Sequence, residues 1–514
     1  MKISGRAGFF IGILAAGFVA SGSSSARPPE RAASEDIIVA AHYAPWFKGT
    51  AEPGWTQWVG TKKVHTAYTP LLGYYDNRTP ATLSKHVEWA TAYGIDAFMI
   101  EWWGLPSGKF RAGIDDVVRP FLANPDFKKI KFFFVYSFIQ ALRKDSEPTF
   151  PVINLDDAER INKLVSDYKY VARTYFNQPN QFKIGGKAVV YLWAIGNTKG
   201  NFKTALTKLR NAVKAASGYD LYIIGDEIGY GTTPDLVRAP CLDAVMPYMM
   251  LKGEKPIRNY KVEATIDSIV SQYRNVMNIC ADLGIKFIPC GFAGFNAIGA
   301  PWCYDNAGKL AAPVVVRSVS GFKSFIQKSK AVIDPSFRMF YITSWSEWNE
   351  GTNIKPSREF NFDYLNIVKS ELSNYKPLQP PRDTVKFAFK RLWNPPGSDD
   401  RLLAVAFDKV EFLDDKDKVL LKLDIGTNAA RAYLGIGFSG NETGWEGANN
   451  YCWAGDRYKY ATLHLDLPAG AAAVRFKVAQ IPNQSIDLFL NGKKLGSFPV
   501  QMPWQWTLLE AELK

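Results

Sequence analysis

The sequence predicts an α/β fold, a (β/α)8 TIM-type barrel followed by a C-terminal antiparallel β-sandwich. Three observations carry that prediction. Between residues 36 and 375, eight short apolar runs alternate with segments of helical period. The runs are apolar throughout instead of alternating with polar residues, which suits parallel strands buried on both faces. Beyond a Pro-rich break at residues 378–382 the helical period stops, and short strands separated by turn residues take over.

Residues 1–26 have the form of a secretory signal peptide: Lys2 and Arg6, an apolar stretch over 9–20, then Ser24-Ser25-Ala26. The apolar stretch is too short for a permanent membrane span and no later run is longer. A secreted or periplasmic protein without stable membrane insertion is therefore expected. The first barrel strand is expected within residues 36–47, ending His42-Tyr43-Ala44-Pro45-Trp46. A helix over 82–93 precedes the second run, 95–103, which ends Glu101-Trp102-Trp103. The third run, 130–138, is followed by an amphipathic stretch at 156–176, and the fourth, 187–194, by a helix at 202–216. The fifth run, 220–227, closes on Asp226-Glu227, and the sixth, 244–250, contains Tyr248. A helix at 264–284 leads to the seventh run, 286–295, with Asn296 directly after it. Another helix at 321–332 leads to the eighth, 338–345, and a last helix covers 363–374. These elements place the barrel at 36–377. A doubly wound open sheet is the rival, but no Gly-x-Gly-x-x-Gly turn follows the first strand. In the sandwich, 384–514, strands are expected at 402–407, 419–423, 432–436, 461–467, 473–478, 485–490 and 504–509, with a hairpin turn at Asn491-Gly492.

The net charge is +13, and losing Lys2 and Arg6 with the signal lowers it by two. Such an excess suits an anionic polysaccharide, but the basic residues are scattered without a run of five or six, so no nucleic acid partner is expected. Five cysteines, Cys241, Cys280, Cys290, Cys303 and Cys452, form neither a disulfide framework nor a Cys-x-x-Cys metal site. They leave room for one or two bridges. No zinc, nucleotide or flavin motif is visible, and Gly-x-Ser-x-Gly is absent. No metal and no organic cofactor are expected.

The eighth run holds the most chemistry. Tyr341-Ile342-Thr343-Ser344-Trp345-Ser346-Glu347-Trp348-Asn349-Glu350-Gly351-Thr352 breaks from an apolar run into two carboxylates set among indoles and an amide. Indole faces suit the C–H side of a sugar, and paired carboxylates are what glycoside hydrolysis requires. Residues three apart point to opposite faces of a continuous strand. Glu347 and Glu350 therefore share a pocket only if the chain leaves β geometry between them, which Gly351 permits. The alternative is a surface turn with two solvated acids.

Residues 343–352 resemble the Trp-Asn-Glu-Trp-x-Glu-Gly-Thr signature of family 99 glycoside hydrolases and their wider relatives, the endo-α-mannosidases and endo-α-mannanases. Tyr43-Ala44-Pro45-Trp46, Gly94-Ile95-Asp96-Ala97-Phe98 with Trp102-Trp103-Gly104, and Phe182-Lys183-Ile184-Gly185-Gly186-Lys187-Ala188-Val189-Val190-Tyr191 are similar to further motifs of that family, in the same order. The resemblance implies a retaining endo-glycosidase. Glu347 would remove a proton from the sugar 2-hydroxyl to give a 1,2-anhydro intermediate, and Glu350 would be the general acid/base. Ser346 stands where that family usually has Asn, and Lys355 where relatives often carry an acid.

Other strand ends supply candidate sugar-binding residues: His42, Tyr43, Trp46, Glu101, Trp102, Trp103, Asp226, Glu227, Tyr248, Asn296, Trp345, Trp348 and Asn349. Each has a plainer reading. A lone His, an aromatic or an amide is as often packed in a core, Glu101 suits a buried ion pair, and Asp226-Glu227 suits a helix N-cap. Trp55 and Trp58 in the first loop are candidates for a subsite wall. In the sandwich, Trp445, Tyr451 and Trp453 lie near Glu446, Asn449 and Asp456, as a carbohydrate platform, a calcium site or core. Two rivals to the endo-glycosidase remain: a non-catalytic carbohydrate-binding barrel, and a glycosidase using Asp226, Glu227 or Glu101 as a conventional nucleophile.

Overall fold

A computed structural model of the protein describes residues 36–49, 58, 66–106, 114–148, 150–228, 233–249, 260–297, 314–397, 399, 401–455 and 457–513. The expected signal segment, Trp55, Cys303 and Asp456 lie outside these residues.

The apolar runs become strands because their β-branched and aromatic side chains pack on both sides of a pleated sheet. In order they are β1 (Ile38–Tyr43), β2 (Ala97–Trp102), β3 (Lys131–Ser137), β4 (Lys187–Trp193), β5 (Leu221–Gly225), β6 (Ala244–Val245), β7 (Lys286–Phe287 and Cys290–Phe292) and β8 (Met339–Thr343). Each pairs in parallel with the next. β8 returns to β1 with Ile38 opposite Met339 and Ala41 opposite Ile342. The sheet closes into a (β/α)8-like barrel, which sets aside the open-sheet rival. Two runs fall short of their expected length for one reason. Pro247 follows the two residues of β6, and Pro289 splits β7. Proline has no N–H to donate to the ladder.

Helices α1 (Pro80–Ala92), α2 (Ile114–Val118), α3 (Ala158–Tyr175), α4 (Phe202–Ser217), α5 (Ile266–Leu283), α6 (Val319–Ser329) and α7 (Asp363–Leu372) belong to the outer layer. α3 shows how. Asp157 caps it by accepting the Glu159 N–H, and Ile161, Leu164, Tyr168, Val171 and Tyr175 recur at helical spacing on its buried face. Between β5 and β6 the described residues contain no α-helix, only the short 3-10 turn Ala239–Cys241.

The C-terminal region is antiparallel. Its strands are β9 (Asp383–Phe389), β10 (Val405–Leu413), β11 (Val419–Asp424), β12 (Phe438–Thr443), β13 (Asn450–Ala454), β14 (Tyr460–Leu465), β15 (Ala473–Gln480), β16 (Ser485–Leu490), β17 (Lys493–Pro499) and β18 (Trp506–Glu512). They make a four-stranded sheet, β14-β9-β16-β17, and a six-stranded one, β12-β13-β10-β15-β18 with β11 on the side of β10. Both contribute to one buried cluster, where Phe387 lies 4.8 Å from Phe407 and 5.3 Å from Phe476. Asn491 and Gly492 both have positive φ, as the hairpin turn requires. The expected strand at 432–436 is instead the end of a 3-10 turn, Ala430–Tyr433, which docks on α5. Asn275 donates to Leu434 O (2.8 Å), and Asp282 accepts from Ile436 N (2.9 Å), the Thr462 hydroxyl (2.5 Å) and His464 (3.0 Å). Residues 434–436 keep only an isolated antiparallel bridge to β14, with Gly435 N on Thr462 O (2.9 Å) and Thr462 N on Ile436 O (3.1 Å), because Leu434 O and Ile436 N are taken by Asn275 and Asp282.

Candidate active site

Period-two alternation at the C-terminal ends of the barrel strands sorts the candidates. In β1, His42 faces the barrel mouth. Tyr43 faces the helices, where its hydroxyl reaches Asn77 and His86 and its ring packs on Phe98 and Phe121. In β2, Glu101 faces in, while Trp102 faces out, donating to Asp115 (3.2 Å) and stacking on Tyr170. After β5, Asp226 accepts N–H groups from Tyr248 (3.2 Å) and Ala194 (3.4 Å), whereas Glu227 is held by Arg238 in a buried ion pair. The helix-cap reading of these two acids is not met. Burial pushes Asp226 up to about 7.

The chain does leave β geometry after Thr343, the residue before a cis peptide bond. Backbone bonds Ser344 N to Thr352 O (3.1 Å), Gly351 N to Trp348 O (3.1 Å) and Thr352 N to Glu347 O (3.3 Å) fold residues 344–352 back on themselves. Ser346, the departure from the family pattern, ties this loop to β1 by accepting the Ala44 N–H (3.1 Å). Gly351 sits at φ +60°, and a Cβ there would lie 3.0 Å from Asn296 O and 3.1 Å from the Tyr68 ring. Glycine is required on both counts. Asn296 in turn donates its backbone N–H to Glu350 O (2.6 Å). Arg317, itself buried, fastens the far side of the loop through Gly351 O (3.2 Å) and Asn353 O (2.7 Å).

Glu347 is buried and accepts the Asn349 N–H (3.0 Å) on Oε1. Burial and the neighbouring Glu350 charge push its carboxyl well above the ordinary range, while the Asn349 and Glu350 backbone N–H groups oppose that rise. Glu350 is only partly buried, and its Oε2 lies 3.5 Å from the Tyr248 hydroxyl. Desolvation and the Glu101 charge push it up to about 7. Glu101 is engaged at both oxygens, by His42 Nε2 (2.9 Å) and by the Trp103 indole N–H (2.9 Å). The Tyr248 ring stands edge-on to His42 at 5.2 Å and to Trp193 at 6.0 Å. Trp46 packs at 5.2 Å on Trp103.

The structure thus brings together Glu347, Glu350, Glu101, His42, Tyr248 and Trp103, with Asp226, Trp46, Asn296 and Asn349 adjoining them. It corrects the expectation of indole platforms on the signature loop. Trp345 is fully buried against Phe98, and Trp348 is fully buried and donates to the Tyr75 hydroxyl (2.8 Å). Neither offers a face to a sugar. Trp58 is likewise buried, its N–H on Tyr75 O (2.7 Å). Lys355 lies behind the site, its ammonium against His86 and over the Tyr75 ring, and burial lowers its pKa well below the usual lysine range. The four described cysteines, Cys241, Cys280, Cys290 and Cys452, are free thiols. Trp193 was not among the sequence candidates, although its place at the end of an apolar run was the available signal.

Glycoprotein endo-alpha-1,2-mannosidase of the mouse, Mus musculus, is 20% identical over 352 residues, covering 66% of this chain and 65% of that protein. The chain thus spans just under two thirds of that relative's length. Among solved structures, a glycoside hydrolase-like protein aligns with a TM-score of 0.51 at 19% identity over 68% of this chain and 98% of that one. The GH99 endo-alpha-mannosidase from Bacteroides thetaiotaomicron aligns with a TM-score of 0.46 at 17% identity over 65% and 96%. The resemblance seen in the four sequence motifs agrees with the mouse relative. Residues 46–368, more than half of the chain, match the family described as Glycosyltransferase WbsX, and the chain belongs to that family.

Proposed function

We propose that this protein is a retaining endo-glycosidase acting on a glycan of the α-mannoside type, with Glu347 as base and Glu350 as general acid/base. The observation that carries this reading is the convergence of two pKa-raised carboxylates in one site, one held by backbone N–H groups and the other partly open beside Tyr248. Burial and the Glu350 charge raise Glu347, and the Asn349 and Glu350 N–H groups oppose that rise and so favour the charged form that a base needs, while a carboxyl near 7 on Glu350 holds a proton to give at neutral pH. Glu347 removes the proton from the sugar 2-hydroxyl, O2 attacks C1, and Glu350 protonates the departing oxygen. Glu350 then takes a proton from water as that water opens the 1,2-anhydro ring at C1, and Glu347 returns its proton to O2. The conventional-nucleophile reading is less well supported. Glu227 is taken by Arg238, Asp226 by two backbone N–H groups, and Glu101 by His42 and Trp103.

The family description names transfer rather than hydrolysis. No Gly-x-Gly-x-x-Gly turn follows the first strand, Ala44-Pro45-Trp46-Phe47-Lys48-Gly49 carrying a single glycine. Secretion or periplasmic export, an anionic substituent on the substrate and a sandwich arrangement of the two C-terminal sheets belong to the same proposal. The test is product release, read by mass spectrometry, from α-mannans, sulfated and uronic polymers and sugar nucleotides, by wild type, Glu350→Gln and Glu347→Gln. Oligosaccharides from wild type alone are expected. Equal cleavage by Glu350→Gln, or consumption of a sugar nucleotide without polymer cleavage, would overturn the assignment.

A further inference from the structure

We propose that the C-terminal sheets carry a second glycan site, separate from the barrel mouth, that takes uncharged sugar units of a polysaccharide. A cleft of about 830 Å³ lies between the outer faces of β10, β11 and β15 and the loop joining β12 to β13. That volume is in the range that holds a small ligand. One wall is Trp445, partly exposed at the lip. Its ring is braced by Tyr451 (5.5 Å, edge-on), Trp453 (5.7 Å) and Trp506 (5.1 Å). Tyr451 and Trp453 are buried, so of the three aromatics expected to form a platform only Trp445 faces the cleft.

The loop that presents Trp445 is shaped for the purpose. Gly444 and Gly447 flank it at φ +90° and +89°, and a Cβ on Gly447 would lie 2.9 Å from Trp506 Cδ1. The loop therefore presses onto the indole behind it, which fixes the Trp445 ring before any ligand arrives. A rigid aromatic face costs little ordering entropy on binding.

Charge selects the ligand class. Lys409, Lys422 and Lys477 line the cleft against Asp408, Asp424 and Glu446. Lys477 is paired with Asp408 at 2.8 Å and Lys422 with Asp424 at 2.9 Å. The lining has no formal net charge, although the chain as a whole carries +13. An anionic polymer would find each of these cations paired with a carboxylate, whereas hydroxyls can both donate to the carboxylates and accept from the ammonium groups. One indole face with alternating donors and acceptors around it fits a neutral pyranose.

The test uses the full chain with Glu350→Gln to suppress turnover. Retardation in native gels containing α-mannan, a neutral β-glucan or dextran sulfate is compared with and without Trp445→Ala. Asn449→Ala, exposed on the same loop and lining the cleft, serves as a second variant that removes no core contact. The expected result is retention on a neutral polymer that falls about tenfold in both variants, while Trp445→Ala alone keeps the wild-type kcat/KM on a short soluble oligosaccharide. Retention unchanged by both substitutions, retention by dextran sulfate alone, or none on any neutral polymer would each overturn the proposal. All three outcomes leave the barrel assignment standing, because cleavage by the wild type is read separately.

Discussion

Arg317 is the residue whose replacement most directly probes how the catalytic loop is held. Its guanidinium donates to Gly351 O, Asn353 O, Asn353 Oδ1 (3.4 Å) and the Tyr364 hydroxyl (3.1 Å), and it lies 4.3–4.9 Å from the centroids of Tyr364, Tyr68 and Phe360. It is 7% exposed, and Gly351 and Asn353 are buried with it. Arg317→Met keeps the volume but strands three buried carbonyl oxygens, Gly351 O, Asn353 O and Asn353 Oδ1, at about 1 kcal/mol each and removes cation–π contacts of about 1 kcal/mol in total. A loss of about 3–5 kcal/mol follows. Glu350 neighbours Gly351, so a loop displaced by about 1 Å should also cost on the order of 100-fold in kcat. Arg317→Lys keeps the charge over the rings but loses the fork of donors, and should recover part of the stability and less of the rate. Urea unfolding followed by tryptophan fluorescence measures the first effect, and initial rates of oligosaccharide release measure the second. Wild-type stability together with wild-type kcat in Arg317→Met would refute the idea that this clamp holds the site.

Four further predictions concern the same molecule. Glu350 acts as an acid with a pKa pushed up to about 7, so kcat/KM should fall tenfold per unit as pH rises beyond that value. The Tyr248 hydroxyl lowers that pKa, so Tyr248→Phe should move the alkaline limb to higher pH, and a downward shift would contradict it. Gly351→Ala places a Cβ 3.0 Å from a backbone oxygen at φ +60°, which should cost about 2 kcal/mol of stability by denaturant titration and at least as large a factor in rate. Asp282→Ala removes three bonds between α5 and the C-terminal region, and calorimetry should show one transition for the wild type and two for the variant.

Much of the architecture was legible in the residue pattern. Eight uninterrupted apolar runs with helical segments between them require parallel strands covered on both faces, and the barrel is the closed form of that arrangement. The two acids of the signature loop and the glycine after them were legible too, because three-residue spacing in a strand cannot bring side chains together unless the chain turns. The C-terminal region was read less completely. β9, β12, β13 and β17 lay outside the expected strands; for β12 and β13 the Gly/Asn-rich stretch around residues 440–450 has weak β-propensity and its pairing comes from neighbouring strands.

What composition and spacing cannot decide is which of two adjacent residues turns inward. His42 beside Tyr43, Glu101 beside Trp102 and Asp226 beside Glu227 are chemically plausible in either order. The pleat sends the first of each pair to the mouth and the second to Asn77, Asp115 or Arg238 in the outer layer. The burial that pushes Glu350 up to about 7, and the Glu101 charge that adds to it, likewise arise only in the packed barrel, where Glu101, more than two hundred residues away in the chain, is brought beside it. Sequence alone determines the strands, their ends and the chemical groups present at those ends. The closed barrel decides their direction and their charge, because register and desolvation belong to the packed sheet and not to any single segment.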